Sequence, residues 1–423
     1  LTNVKGTLRF GTPLPGIENY KVVPSYAEST IVPVKLEQTV PQSSTKRSPM
    51  AIELPEFKAA EQPKFDTVVI KDQFVSALKM AFLGVGQGGG RVAQAFHDLG
   101  YVRVCALNTT DQDLASLSIP NKLVIGKDRG GAGKDPEQGR LAAEESFEDI
   151  MEMLLRVYGQ DVEQAFLCVG AGGGSGTGSW SVALRALKEY LSTTQIESTT
   201  ERKVGVIMTM PKRSEGARVQ ANALKALEEA IELCDRGDIK TLILVDNAKI
   251  HSILPGLSVK NFWKVANQNF ASVLHTFNIL AAQNSEYSTF DRSDFRSILR
   301  NGILIFGMTS VEKWDSKEDI SKAIRQNLAG TLLADGFDLT KADMAGAIIV
   351  AHDDVLAELP MEHLDSAFHS LGRIIGNEGI TLHNGVYESA NSGMKVFTMI
   401  SGLEPPAARL QELKQLSANV DTK

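Results

Sequence analysis

Residues 164–179 read QAFLCVGAGGGSGTGS. The first seven, Gln164 to Gly170, are a short apolar run that fits a strand buried on both faces of a parallel sheet. Six glycines then fall within the ten residues from Gly170 to Ser179. Glycine admits positive φ and lets backbone N–H groups converge on an anion with no Cβ in the way. A helix pattern follows, SWSVALRALKEYL, whose partial positive N-terminus aims at the same place. Ser175, Thr177 and Ser179 add hydroxyl donors. The arrangement recurs upstream: GVGQGGGR, Gly84 to Arg91, lies between the strand SALKMAFLGVG and the helix RVAQAFHDLG. One such loop could answer to close packing or a tight turn alone. Two at strand ends of one sheet point to a polyphosphate held from two sides.

Working outward, VRVCALNT, KVGVIMTM and TLILVDN read as further strands, with helices over Glu137–Tyr158 and RVQANALKALEEAIELCD. Strands alternating with helices predict an α/β fold with a doubly wound parallel sheet, whose ligands sit at the carboxyl ends of the strands. A long central helix is expected over residues 259–285, with Phe262, Val265, Val273, Phe277 and Leu280 on its apolar positions. Strands GILIFGM, GAIIVAH, ITLHNGVYE and MKVFTMISGL, with helices SKAIRQNLAGTLLA and MEHLDSAFHSLGRIIG between them, predict a smaller α+β C-terminal domain over 286–404. The nucleotide-binding domain is assigned to 75–258 and a short polar tail or helix to 405–423. Eight of the 15 prolines precede Lys64, so residues 1–74 read as a Pro-rich extended arm. A disordered tail and an arm docked on a protein partner both fit. The apolar patches Tyr20–Val23 and Ile31–Val34 favour docking.

Across 423 residues, 44 Lys and Arg stand against 51 Asp and Glu, a formal net charge of −7. A general electrostatic nucleic-acid binder would carry a basic stripe instead, so no direct nucleic-acid partner is expected. Cys105, Cys168 and Cys234 sit far apart in apolar runs, which fits reduced thiols in a cytoplasmic chain. The uncharged stretch Gln164–Leu184 is broken by six glycines and is no transmembrane segment, and no secretory h-region is visible. Gly84 to Gly89 satisfies G-x-G-x-x-G, but a dinucleotide oxidoreductase needs an acid at the end of the second strand. That strand ends Leu107-Asn108-Thr109-Thr110, and the first carboxylate is Asp111. No G-x-x-x-x-G-K-[ST] occurs, which excludes a P-loop.

GAGGGSGTGS behind QAFLCVG resembles the signature loop of the tubulin/FtsZ GTPase superfamily. GAGKDPEQGRLAAEES resembles the third nucleotide loop of FtsZ and its CetZ relatives, CALNTTDQDL the second and MPKRSEGARVQANAL the fifth. These pieces keep the family's order from about Leu78 to Leu403. The resemblance implies GTP/GDP binding. Gly86, Gln87, Gly88 and Arg91 would line the diphosphate, and Gly172, Gly173, Gly174, Ser175, Gly176 and Thr177 would cradle the phosphates. Asn108 would lie beside the nucleotide and Ala132 and Gly133 near the γ-phosphate. Glu137 and Arg140 would reach the ribose, the plain alternative being a solvated pair at a helix start. Trp263 and Asn267, four residues apart on the central helix, would stack on and pair with the guanine; Trp263 in the core is the alternative.

YSTFDRSDFRSIL resembles the family's catalytic synergy loop, with Asp291 and Asp294 in the acidic places and Thr289 where Asn is usual. Asp at a helix N-terminus is also favoured for capping alone. The resemblance implies acids that act on the next subunit's nucleotide, hence a head-to-tail filament with itself as partner, GTPase activity dependent on assembly, and Mg2+ at the β- and γ-phosphates. A cytoskeletal role in division, shape or positioning of DNA or a particle is expected. The alternative is a nucleotide-binding scaffold with weak or no turnover, docked through its N-terminal arm. With a short tail after Pro405, a divergent, CetZ-like or phage/plasmid-type member is expected.

Overall fold

The structure, a computed structural model, describes residues 72–418 apart from 128–129, 195–201, 255, 257, 331–332 and 377–378. Most of the expected arm, residues 1–71, lies outside the described residues. Six strands, β1 (Met80–Val85), β2 (Val104–Asn108), β3 (Asn121–Val124), β4 (Gln164–Gly170), β5 (Lys203–Met210) and β6 (Thr241–Asp246), pair in parallel in the order β3-β2-β1-β4-β5-β6. All six residues of β1 are buried, and β4 is buried up to its last residue, as an apolar run covered on both faces requires. The order reverses between β1 and β4, the switch point at which a crevice opens above the carboxyl ends. Both glycine-rich stretches leave the sheet there.

The same sheet continues through β7 (Gly302–Val311), β8 (Met344–His352), β9 (Thr381–Ser389) and β10 (Met394–Leu403), in the order β7-β10-β8-β9. β10 runs antiparallel to both β7 and β8. The two halves join where β6 pairs with β7 through Thr241–Gly302 and Leu242–Ile303 alone. The smaller C-terminal unit therefore extends the nucleotide-side sheet instead of carrying a sheet of its own.

Helix α1 (Gly86–Asp98) starts at the first glycine after β1, and α5 (Gly174–Thr193) starts inside the second glycine run. Much of what reads as loop is thus the first turn of a helix. Glycine is poor in a helix interior, but a Cβ on Gly89 would lie 2.0 Å from the Cys168 carbonyl oxygen and one on Gly86 2.7 Å from the Gly176 nitrogen. The helix tops pack on each other's backbone, and only glycine fits between them. The short α2 (Asp111–Ala115) follows β2. The single helix expected over Glu137–Tyr158 is two, α3 (Pro136–Glu145) and α4 (Phe147–Tyr158). The break falls at Ser146, whose φ of −104 and ψ of 15 leave the helical region and whose Oγ accepts the Gly126 N–H at 3.0 Å.

Helices α6 (Ala217–Asp235) and α7 (Asn247–Ile253) flank β6. The central helix α8 (Val259–Leu280) buries Phe262, Phe270, Phe277 and Leu280 and is about 33 Å long at 1.5 Å per residue. Its far end is fixed by Asn278, whose Oδ1 accepts Leu78 N–H at 2.8 Å while Nδ2 donates to Leu78 O at 3.1 Å. The chain then enters α9 (Arg292–Leu299) below the sheet. α10 (Lys317–Gly330), α11 (Asp353–Glu358) and α12 (Met361–Ile375) accompany the last strands, and α13 (Ala407–Ser417) returns to pack on α6.

Candidate nucleotide site and the distant acidic loop

The glycines above the switch point fall into two groups. Gly86, Gly174, Gly176 and Gly178 face backbone: a Cβ on Gly174 would meet Asp135 N at 2.8 Å, and one on Gly178 would meet Pro136 O at 1.9 Å. These residues join the β1, β4 and α3 segments into one rim. Gly173 and Gly133, in contrast, have open space where a Cβ would stand. Gly172 holds φ +108, and its N–H donates to Thr177 Oγ1 at 2.7 Å. Asn222 Nδ2, on α6, donates to Lys134 O at 3.3 Å and Gly172 O at 3.2 Å, tying the Ala132–Lys134 turn to the main glycine run. The Thr109 and Ser175 hydroxyls meet at 2.6 Å across the crevice. Asn108 is buried; its Nδ2 donates to Asp113 Oδ2 at 3.0 Å, and Gln87 Nε2 donates to Asp113 Oδ1 at 2.9 Å. Gly86, Gln87, Gly88, Asn108, Ala132, Gly133 and Gly172 to Thr177 therefore share one mouth.

Glu137 and Arg140 stand beside that mouth on the exposed first turns of α3 and pair with each other at 2.7 Å. The hydrogen bond from Arg140 holds the Glu137 carboxyl below its ordinary range. On the other flank, Trp263 and Asn267 occupy one face of α8. The Arg91 guanidinium carbon lies 5.8 Å from the Trp263 ring centroid, and Lys212 Nζ lies 5.0 Å from it and 4.7 Å from that of Phe262. Burial pulls the Arg91 guanidinium below its usual value, while Asp113 pulls the other way. Trp263 is half-buried with two cations against its ring, which differs from a plain core aromatic. Asn267 is buried, and its amide has no hydrogen-bond partner among the described residues.

Asp291 and Asp294 lie elsewhere. Asp291 is the N-cap of α9: its Oδ1 accepts Ser293 N–H at 2.7 Å and Asp294 N–H at 2.9 Å, and Asp294 Oδ2 accepts Asp291 N–H at 3.2 Å. This reciprocal capping box is the structural role that Asp fills at helix starts. Asp291 is nevertheless exposed. Arg292 pairs with Glu163 and Arg300 Nε donates to Gln164 Oε1 at 3.0 Å, so α9 sits at the start of β4. The glycine mouth opens at the other end of that strand, seven residues or roughly 20 Å away. The acidic pair and the mouth of one molecule face opposite ways.

Residues 79–255 match the sequence profile of the Tubulin/FtsZ family, GTPase domain. The chain is 30% identical to the cell division protein FtsZ of Aquifex aeolicus over 314 residues, covering 72% of this chain and 79% of that protein. The chain belongs to the tubulin/FtsZ family. Its fold is that of TubZ from Bacillus thuringiensis serovar israelensis, solved as a GTPγS-form protofilament: TM-score 0.69 at 22% identity over 82% of this chain and 93% of that one. CetZ2 from Haloferax volcanii, a GTPγS-bound protofilament, gives a TM-score of 0.67 at 24% identity over 82% of this chain and 99% of that one. Both are solved as polymers, and the fold is common to all three.

The sequence marked the stretches around the mouth of this tubulin/FtsZ family member but gave several of their residues no role. Asp113, Thr109, Lys212 and Asn222 all touch residues assigned to the nucleotide, yet none belongs to a glycine run. Asp113 sits in CALNTTDQDL, the stretch singled out for the second loop; its bond from Asn108 is local, while the one from Gln87 depends on β1 and β2 being neighbours. Lys212 follows Pro211, whose carbonyl accepts Arg409 Nη2 at 2.8 Å from α13, and its own carbonyl accepts Gln220 Nε2 at 2.7 Å. Thr289, in the usual Asn place, accepts Ser285 N–H at 3.2 Å through Oγ1 and closes its loop on itself.

Proposed function

We propose that the protein binds GTP in the glycine mouth, assembles head to tail, and hydrolyses GTP where two subunits meet. In this reading residues 75–258 are the nucleotide-binding domain, 259–285 the central helix, 286–404 the activation domain and 1–74 an arm for a protein partner. Asp72 and Phe74, at the arm's end, pack on the nucleotide-binding domain and the central helix. The protein acts in the cytoplasm; among the described residues no helix is long and apolar enough to cross a membrane. Backbone N–H groups at the tops of α1 and α5, with Gly173 and Gly133 leaving open space, suit the phosphates. Trp263 offers the base a face, and Asn267 offers an amide able to both donate and accept.

The observation that carries the reading is the opposition of the two ends. Asp291 cannot reach its own molecule's mouth across the length of β4, but stacking one molecule's lower end on another's top brings it there. Such a contact joins unlike surfaces and need not close, so it propagates as a filament. At that junction the acids would orient a water toward the γ-phosphate, positioning being the protein's main contribution to phosphoryl transfer.

Among the described residues there is no group of three His, Cys, Asp or Glu able to cage a metal ion. That suits magnesium, which keeps water and phosphate oxygens and takes few protein ligands. The Thr109 and Ser175 hydroxyls and the Asp113 carboxylate are the hard oxygen donors at hand. Held by those groups, the ion would supply neutralisation of the charge on the phosphates.

The capping box, which employs both acids within α9, favours a second reading: a nucleotide-binding scaffold with weak or no turnover. Sedimentation with parallel phosphate release, in GTP and in GDP, separates the two. GTP-dependent pelleting with phosphate release supports the filament GTPase. Pelleting indifferent to nucleotide and without phosphate release supports the scaffold.

A further inference from the structure

We infer that His383, on β9, is a positioning residue for the acidic loop; this rests on the proposed GTPase reading. His383 Nδ1 stands 2.8 Å from Asp294 Oδ1, with both side chains largely shielded from solvent. A carboxylate oxygen only accepts, so the pairing calls for the proton on Nδ1. The capping box needs only Asp294 Oδ2, which takes the Asp291 N–H. The imidazole binds the other oxygen, and with both oxygens held the carboxylate plane is fixed. Asp291 is fixed in turn, because the box is reciprocal.

The rest of the loop is tied to the same strand. Ser288 forms a β-bridge to Val386, and Ser285 Oγ donates to the Val386 carbonyl. The Tyr387 hydroxyl takes the Phe290 N–H at 3.0 Å and donates to the Phe290 carbonyl at 2.9 Å. Phe290 is fully buried and Gly385 lies against it; a Cβ on Gly385 would come within 2.7 Å of Phe290 Cβ. Ser288 Oγ also reaches Asn384, so β9 holds the loop at five residues, and of these His383 alone contacts an acidic side chain. The backbone ties set where the loop is; His383 sets how its carboxylates point. A free subunit then presents an acidic loop already in its working geometry, and assembly need not order it.

The test compares His383→Ala and His383→Asn in the full chain, measuring phosphate release per polymerised subunit and the critical concentration for assembly. The Asn amide nitrogen reaches about where Nδ1 stands and can donate to Asp294. Expected for His383→Ala is a loss of turnover of about tenfold, the weight of one hydrogen bond to a carboxylate largely shielded from solvent, with the critical concentration within about twofold of wild type. His383→Asn should recover most of the loss. Equal turnover per polymerised subunit in wild type and His383→Ala overturns the inference. So does loss of turnover only in step with loss of polymer, which would make His383 part of the contact or of the fold. A wild-type chain that binds or turns over no GTP sinks the parent reading instead, and the inference with it.

Discussion

Gly173 and Gly178 stand five positions apart in one glycine run and serve different ends. Gly173 has φ −76 and ψ 171, values open to any residue, and empty space where a side chain would begin. Gly178 lies inside α5, where alanine would ordinarily gain about 1 kcal/mol over glycine, but its Cβ would stand 1.9 Å from Pro136 O. Gly178→Ala should therefore lower the melting temperature by several degrees, a clash of backbone against Cβ outweighing helix propensity. Gly173→Ala, at the N-cap of α5 where alanine is the poorer cap, should lower melting of the nucleotide-free protein less than Gly178→Ala does and weaken GTP binding, since the methyl occupies the space assigned to phosphate. Thermal melts and a nucleotide titration on both variants check the pair. If both behave alike, the division of the rim into packing and cradling glycines is wrong.

At the scale of elements, legibility followed how much of an element's reason lies within its own sequence. β4 and β5 carry theirs: an apolar run closed by Gly170, and one closed at Met210 by Pro211, delimit them to the residue. The break at Ser146 is not local, since the helical pattern runs through it and the Gly126 N–H that Ser146 Oγ accepts lies 20 positions away. β3 and α7, of four and seven residues, are too short for a periodic signal. In the candidate site the glycine runs were legible because backbone approach restricts the residue type. His383 was not, because its meeting with Asp294 depends on a strand 89 positions later in the chain.

The seam between α8 and the start of β1 was equally hidden, and it makes the fold sensitive to acid. His275 is buried among Phe74 and Tyr101, with Nδ1 3.2 Å from the Tyr101 hydroxyl, and burial pulls its pKa down to about 4 from 6.5. A base depressed in the folded state contributes stability that is intact above the unfolded value and is lost as pH falls toward the folded one. Between pH 6.5 and 4 the fold should lose roughly 3 kcal/mol through this group. His275→Phe keeps an aromatic in the seam, and Tyr101 keeps its bond from Asn278. Its denaturant-unfolding free energy should therefore fall less over that window; curves parallel to wild type would assign the acid sensitivity elsewhere.

For the whole molecule, the direction of the sheet matters more than any one residue. Parallel strands give it a top and a bottom: the mouth lies at the carboxyl ends of β1 and β4, and α9 lies at the start of β4. If hydrolysis belongs to the junction, its two halves can be supplied by different molecules. Asp291→Ala retains the mouth and lacks the acid. Gly173→Asp retains the acid and sets a negative charge among the groups meant for phosphate. Neither should turn over GTP alone. Mixed in equal amounts, the junctions in which an Asp291→Ala mouth meets a Gly173→Asp lower end are complete. Random incorporation makes these at most about one quarter of all junctions, and recovered turnover should approach that share of the wild-type rate. An activity contained within one subunit, by contrast, could not be restored by mixing, whatever the ratio of the two variants, so phosphate release that stays at background in the mixture while the subunits still copolymerise would place the chemistry inside the monomer and remove the reason for a filament.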